Sequence, residues 1–197
     1  MMGTLTLAQD PPSDELLSTN PLALLIGMVL DQQIPLEWAF KGPLMLQERI
    51  GELDAADIAG RDPEALAKVF AERPALHRYP GSMARRVHEL CTRIVEKYDG
   101  DPAAVWTTAP TGEQLYKGIR NLPGFGEQKA RIFVALLGKQ LGVRPRGWQA
   151  AAGEYGKAGS YMSVADIVDE PSLGRVRQYK QSKKAAAKAE KAANTEK

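Results

Sequence analysis

Leu122-Pro123-Gly124-Phe125-Gly126, followed at once by Glu127-Gln128-Lys129-Ala130-Arg131, is the stretch whose residue types and spacing point most directly to chemistry. Pro123 has no N–H and pushes its neighbour out of helical angles, so it ends whatever helix precedes it. Gly124 and Gly126 allow backbone angles that other residues resist and let a ligand approach the main chain. A helix that begins directly after such a turn points its free N–H groups and positive dipole end outward. Lys129 and Arg131 add charge beside it. The result is an anion cradle built mostly from backbone, suited to gripping phosphates without reading sequence. A Gly-x-Gly turn alone is also an ordinary helix connector; the full run between two helices, with cations after it, favours phosphate.

Charge is distributed to match. The 197 residues carry a net +2, yet residues 1–60 hold two basic side chains against nine acidic ones. Residues 115–149 hold seven basic against one acidic, and from Pro171 onward there are eight against two. A locally basic face on a near-neutral chain is the footprint of polyanion binding, although a solvated charged face has the same composition.

The elements that must position the hairpin read as short helices. Asn20-Pro21 is a cap followed by proline at the first helical position, opening a helix through Gln33 whose residues Leu22–Leu30 are apolar almost all round. That helix should be central and buried. Further helices are expected from Leu36 to about Ile50, from Asp62-Pro63-Glu64 to Ala71, and from Ser82 to Tyr98, closed by Asp99-Gly100. A helix from about Gly112 to Arg120 precedes the hairpin, and Gly126 to Leu141 follows it. Glycines then punctuate a loop-rich stretch holding Trp148, Tyr155 and Tyr161. A last helix is expected near Pro171, and residues 183–197 read as a solvated or frayed Lys/Ala-rich tail beyond a single domain of residues 1–182. The fold class is all-α.

Several chemistries are excluded. A lone cysteine, Cys91, permits no internal disulfide and no four-cysteine cluster, and two histidines are too few to suggest a metal cage. The longest apolar run is far short of the roughly 20 residues a membrane span needs. A cytoplasmic protein with no membrane partner is expected.

The chain resembles the helix–hairpin–helix (HhH-GPD) base-excision DNA glycosylases, the superfamily of endonuclease III, the adenine glycosylase MutY and the alkyladenine glycosylase AlkA. Three blocks carry the resemblance in order: Leu25 to Gln33, Tyr79 to Arg86, and Leu122 to Arg131, within a span of about Pro21 to Trp148. It implies a two-lobed helical fold, with the helix–hairpin–helix at about residues 112–141, bound as a monomer to damaged double-stranded DNA. One nucleotide is flipped out, because the bond to the sugar cannot be reached inside the stack. By the same resemblance Gln33 would fill or probe the gap, and the backbone of Leu122, Gly124, Phe125 and Gly126, with Gln128, Lys129, Arg131 and Arg146, would hold the DNA. In the family a monovalent cation often sits on the hairpin carbonyls; no other cofactor, and no iron–sulfur cluster, is implied.

The departures are as informative. Cleaving a glycosidic bond builds positive charge on the sugar, and a carboxylate stabilises that charge or activates water. The family's Asp lies about two dozen residues after the hairpin leucine, where this chain has Val143-Arg144-Pro145-Arg146-Gly147-Trp148-Gln149, with no carboxylate and Arg146 near the expected position. The lysine of bifunctional members is matched by Gln128. Lys129, about 100° further round the helix, is expected at phosphate rather than sugar, so strand cleavage through a lysine is not expected. Three carboxylates could substitute: Asp31 first, then Glu37 and Asp166. Trp148 is the aromatic expected near a base, with Trp38, Tyr155 and Tyr161 as lesser candidates or core. The expected activity is monofunctional N-glycosidic hydrolysis; the alternatives are an inactive lesion-binding module acting with a partner, and an interaction protein whose hairpin binds another anion such as RNA.

Overall fold

Every residue from Leu22 to Leu30 is buried in the computed structural model, which describes residues 4–195. They form α2 (Pro21–Leu30), started by the Asn20 side chain, which accepts from the N–H groups of Leu22 and Ala23 at 2.9 and 3.1 Å. An apolar surface on all sides forces a helix into the centre, so neighbours cover it on every face. Before it lies α1 (Pro11–Thr19), absent from the sequence reading and capped by Asp10. After it come α3 (Leu36–Ile50), α4 (Ala55–Gly60), α5 (Pro63–Ala71) and α6 (Pro80–Tyr98). These six pack mainly on one another.

The second group is built on the hairpin. It comprises α7 (Ala104–Thr107), α8 (Gly112–Arg120), α9 (Glu127–Gln140), α10 (Trp148–Ala152) and α11 (Glu170–Thr195), with 3₁₀ turns at Gly153–Gly156 and Val164–Asp166. No strand occurs among the described residues, so the all-α expectation is met. One hydrophobic core runs through both groups, from Leu5 to Val176. No helix among the described residues is long and apolar enough to cross a membrane.

Boundaries differ from the sequence reading where side chains compete with the helix. α2 stops at Leu30 rather than Gln33, because Asp31 leaves helical angles and Gln33 adopts φ +57°. α11 runs without a break from Glu170 to Thr195, so the Lys/Ala-rich segment continues a helix; Glu196 and Lys197 lie outside the described residues.

The stretch expected to face a base is instead framework. The Trp148 ring lies flat on α9, so close that a Cβ at Gly138 would stand 2.3 Å from its Cε3. Thr111 and Arg146 form an isolated bridge, with the Gly112 N–H donating to the Arg146 carbonyl at 2.9 Å. Gly138 is required by this contact, and overpacking it displaces the indole. Gly138→Ala should therefore lower stability by about 1–3 kcal/mol, read as a drop in Tm, with Trp148 fluorescence shifting towards that of an exposed indole.

Candidate nucleic-acid interface

The hairpin turn is held from within. Leu122 and Phe125 are buried, the Phe125 N–H donates to the Leu122 carbonyl at 3.1 Å, and the Phe125 ring packs on Phe133 with centroids 5.7 Å apart. Only the backbone of these two residues is left to serve a ligand. Gly124 has φ +88°, a conformation that costs other residues about 1–2 kcal/mol, and a Cβ there would stand 3.0 Å from both Arg86 Cδ and Val29 Cγ2. Gly126 is extended, with nothing within 4 Å of the place a Cβ would take, so its role is open access and not a special angle. No side chain caps α9, leaving its first N–H groups to face an incoming acceptor. The Leu122 and Gly126 carbonyls accept from the N–H groups of Phe125 and Ala130.

Lys129 does not lie where it was expected. Its ammonium reaches back to the end of α2, donating to the carbonyls of Met28 at 2.6 Å and Val29 at 3.4 Å. Burial pushes its pKa down to about 8, partly offset by the charge of Asp31; Arg86 and Lys180 push the same way as burial. Met28, Asp31, Gln32, Gln33, Ile34, Gln128, Lys129, Ile132, Ser163, Val164 and Lys180 line one cleft of about 320 Å³. The residue expected at a phosphate thus stands in the cleft between the two helix groups, beside the first-ranked carboxylate. A lysine stem is long enough to cross from one face of the first turn of α9 to the neighbouring end of α2.

Gln32, His77 and Arg86 fix the loop that carries Gln33. Gln32 Nε2 donates to the Val29 carbonyl at 2.7 Å while its Oε1 accepts from Arg86 at 3.1 Å. Buried His77 accepts the Tyr79 N–H at Nδ1 (3.0 Å), so Nε2 is the protonated nitrogen that donates to the Gln32 carbonyl at 2.8 Å. Gln33 itself is exposed at the cleft in the left-handed region. Gln128, at the position of the family's lysine, donates to the Tyr155 hydroxyl at 2.9 Å. Gln32, His77, Arg86 and Lys180 have no individual role in the sequence reading, because the contacts that bring them together, His77 and Arg86 on Gln32 and Lys180 beside Lys129, span 45 or more residues.

The other candidates are placed elsewhere. Asp166 is buried under a Ser163 capping box, with Lys139 at 2.5 Å and the Met162 N–H at 2.8 Å; its carboxylate is fully used. Glu37 pairs with Arg177 of α11 and lines a separate shallow groove with Trp38 and Lys41. Arg131 lies over the Tyr116 ring, donates to the Ala151 carbonyl and pairs with Glu127. With Arg146 it lines another groove, outside the Lys129 cleft. Trp148 belongs to the core contact with Gly138. Of the three carboxylates, only Asp31 stands in the cleft with its oxygens bonded to no described residue.

A glycine hairpin feeding an uncapped helix, beside an interhelical cleft with a carboxylate and several cations, is the arrangement this helical protein presents to an anionic ligand. The comparison with protein families gives the arrangement a name. The model described as "HhH-GPD superfamily base excision DNA repair protein" matches residues 26–195, and the chain belongs to that superfamily. No curated protein and no solved structure matches it. The family implies DNA binding and a place in base-excision repair.

The cleft charges are coupled in a way that can be read directly. The Lys129 amine should titrate near pH 8 in the folded chain, followed by NMR of the lysine ε-carbon. Asp31→Asn should lower that midpoint further, since the carboxylate favours the ammonium, and Lys180→Gln should raise it. Folded Lys129 has the lower pKa, so the unfolded chain binds the extra proton between about pH 8 and the ordinary 10.5. Stability should therefore rise with pH across that window, and Lys129→Met should flatten the rise.

Proposed function

We propose that this chain is a DNA N-glycosylase that flips a damaged base into the Asp31–Lys129 cleft and hydrolyses its bond to the sugar. The observation that supports this reading is Asp31, the one candidate carboxylate that lines the cleft beside the hairpin while Asp166 and Glu37 serve the framework. The backbone N–H groups opening α9 hold the phosphate next to the flipped nucleotide. Ile34 and Ile132 supply apolar faces for the base, and Gln33, Gln128 and Ser163 supply polar groups for its edges. As the glycosidic bond lengthens, positive charge grows on the sugar. Asp31 stabilises that charge and takes a proton from the water that adds to the anomeric carbon; the base leaves with the bonding pair and is protonated.

A second reading has a specific observation in its favour. Lys129 lines the same cleft with a pKa near 8, so about a tenth is neutral amine at pH 7, far more than for an ordinary lysine. In that reading the amine displaces the base and forms an imine with the opened sugar, which then loses the 3′ phosphate by elimination.

One panel separates the readings. Duplexes each carrying one damaged base are incubated with excess protein and scored for abasic sites after alkali, with and without borohydride. Hydrolysis by Asp31 predicts alkali-dependent breaks, no trapped adduct, and a loss of about 10²–10⁴-fold in single-turnover rate for Asp31→Asn with duplex binding retained. A borohydride-trapped adduct that disappears in Lys129→Gln establishes the second reading instead. Duplex binding with no base released from any lesion would falsify both and leave a lesion-binding module.

A further inference from the structure

We propose that α11 is a DNA arm: the row Lys180, Lys184 and Lys188 carries the cleft's positive charge outward and holds the phosphate backbone of the duplex flanking the nucleotide lodged in the cleft. The inference rests on the glycosylase reading for the position of the DNA and adds a contact surface to it.

The root of α11 is fixed. Asp169 caps it by accepting the Ser172 N–H at 2.8 Å, Leu173 and Val176 are buried in the common core, and the Arg175 guanidinium lies 4.6 Å from the Tyr161 ring centroid. Arg177 pairs with Glu37 of α3, tying the helix to the first group as well as to the hairpin group. A helix held at its root on both groups keeps a set direction as it leaves the body. Lys180 is where it passes the cleft, lining it beside Asp31, Gln33 and Lys129 and close enough to depress the Lys129 pKa.

Beyond Lys180 nothing covers the helix: residues 181–190 are exposed on every side. Steps of four residues advance about 40° round the axis, so Lys180, Lys184 and Lys188 fall within one sector of about 80° that rises about 12 Å from the cleft. Lys183 flanks the row. Between Pro171 and Ala189 there are six cations and no carboxylate. A helix stabilised only by solvent would place Glu four residues before Lys, whereas like charges at that spacing repel. The row is therefore left with unneutralised charge, and the alanines between the lysines offer no side chain to hold a polyanion away. The partner this fits is a regular anionic lattice reached from the cleft, which is duplex backbone. Sequence-independent contacts of this kind add affinity and salt dependence without selectivity.

The test compares the full chain with Lys183→Gln/Lys184→Gln/Lys188→Gln and with the matching triple Arg variant. Affinity for an undamaged duplex is measured across a salt series, alongside base release on the lesion that the wild type cleaves. The Gln variant should lose about two to three from the slope of log affinity against log salt, near 0.9 per phosphate contact removed. Its Tm should not change, because the replaced side chains are exposed. The Arg variant should keep the wild-type slope. A slope unchanged in the Gln variant, while the wild type binds and releases base, overturns the arm and leaves the glycosylase reading standing. A change seen with single-stranded RNA and absent with duplex DNA overturns it in favour of RNA. A wild-type chain that shows no salt-dependent duplex binding removes both.

Discussion

A buried ammonium needs acceptors, and a buried helix end needs donors; Lys129 meets both needs at once. The last carbonyls of α2 have no partner within their own helix; Gln32 serves those of Val29 and Leu30, and that of Met28 needs a donor from elsewhere. Lys129 Nζ takes up those of Met28 and Val29, 101 and 100 residues earlier in the chain. That contact binds the negative end of α2 to the first turn of α9. It sets the hairpin's uncapped N–H groups against the loop of Asp31, Gln32 and Gln33, and the cleft is what lies between.

The electrostatics of the cleft follow. One carboxylate, Asp31, sits among Lys129, Arg86 and Lys180, and its charge partly restores to Lys129 the proton affinity that burial removes. With three cations around one carboxylate, the cleft favours an anionic partner. The loop is braced from α6 and the segment before it, through Arg86 on Gln32 and through the His77 ring. Gln33 can therefore hold a left-handed backbone that an unsupported loop would relax.

The segment that the resemblance matches to the family's aspartate packs against the core through half-buried Val143 and Trp148. Trp148 occupies the surface of α9 that Gly138 leaves bare, and the Thr111–Arg146 bridge ties the same segment to the start of α8. Asp166 is equally committed, to Lys139 and the turn it caps, and Glu37 to the root of α11. Buried or paired carboxylates of this kind are framework, since releasing one leaves its partners unsatisfied.

The sequence by itself determined most of the longer helices and the hairpin, but not α1 or the helical continuation of the Lys/Ala-rich segment. The elements it determined depend on local chemistry: Asn20-Pro21 as a start, an all-apolar run as a centre, and Leu122-Pro123-Gly124 as a turn, all within a few residues of the structure they specify. It also ranked Asp31 first among the carboxylates, because an acid at the end of an apolar helix stands out in sequence. Tertiary structure alone decided which side chains share the cleft. Lys129 was expected at phosphate and lies on α2; Trp148 was expected at a base and lies on Gly138; Lys180 was read only as part of a charged region and lines the cleft. Local spacing fixes the direction in which a side chain leaves its helix. Where a long side chain ends is fixed by which distant helix end arrives there with unpaired carbonyls.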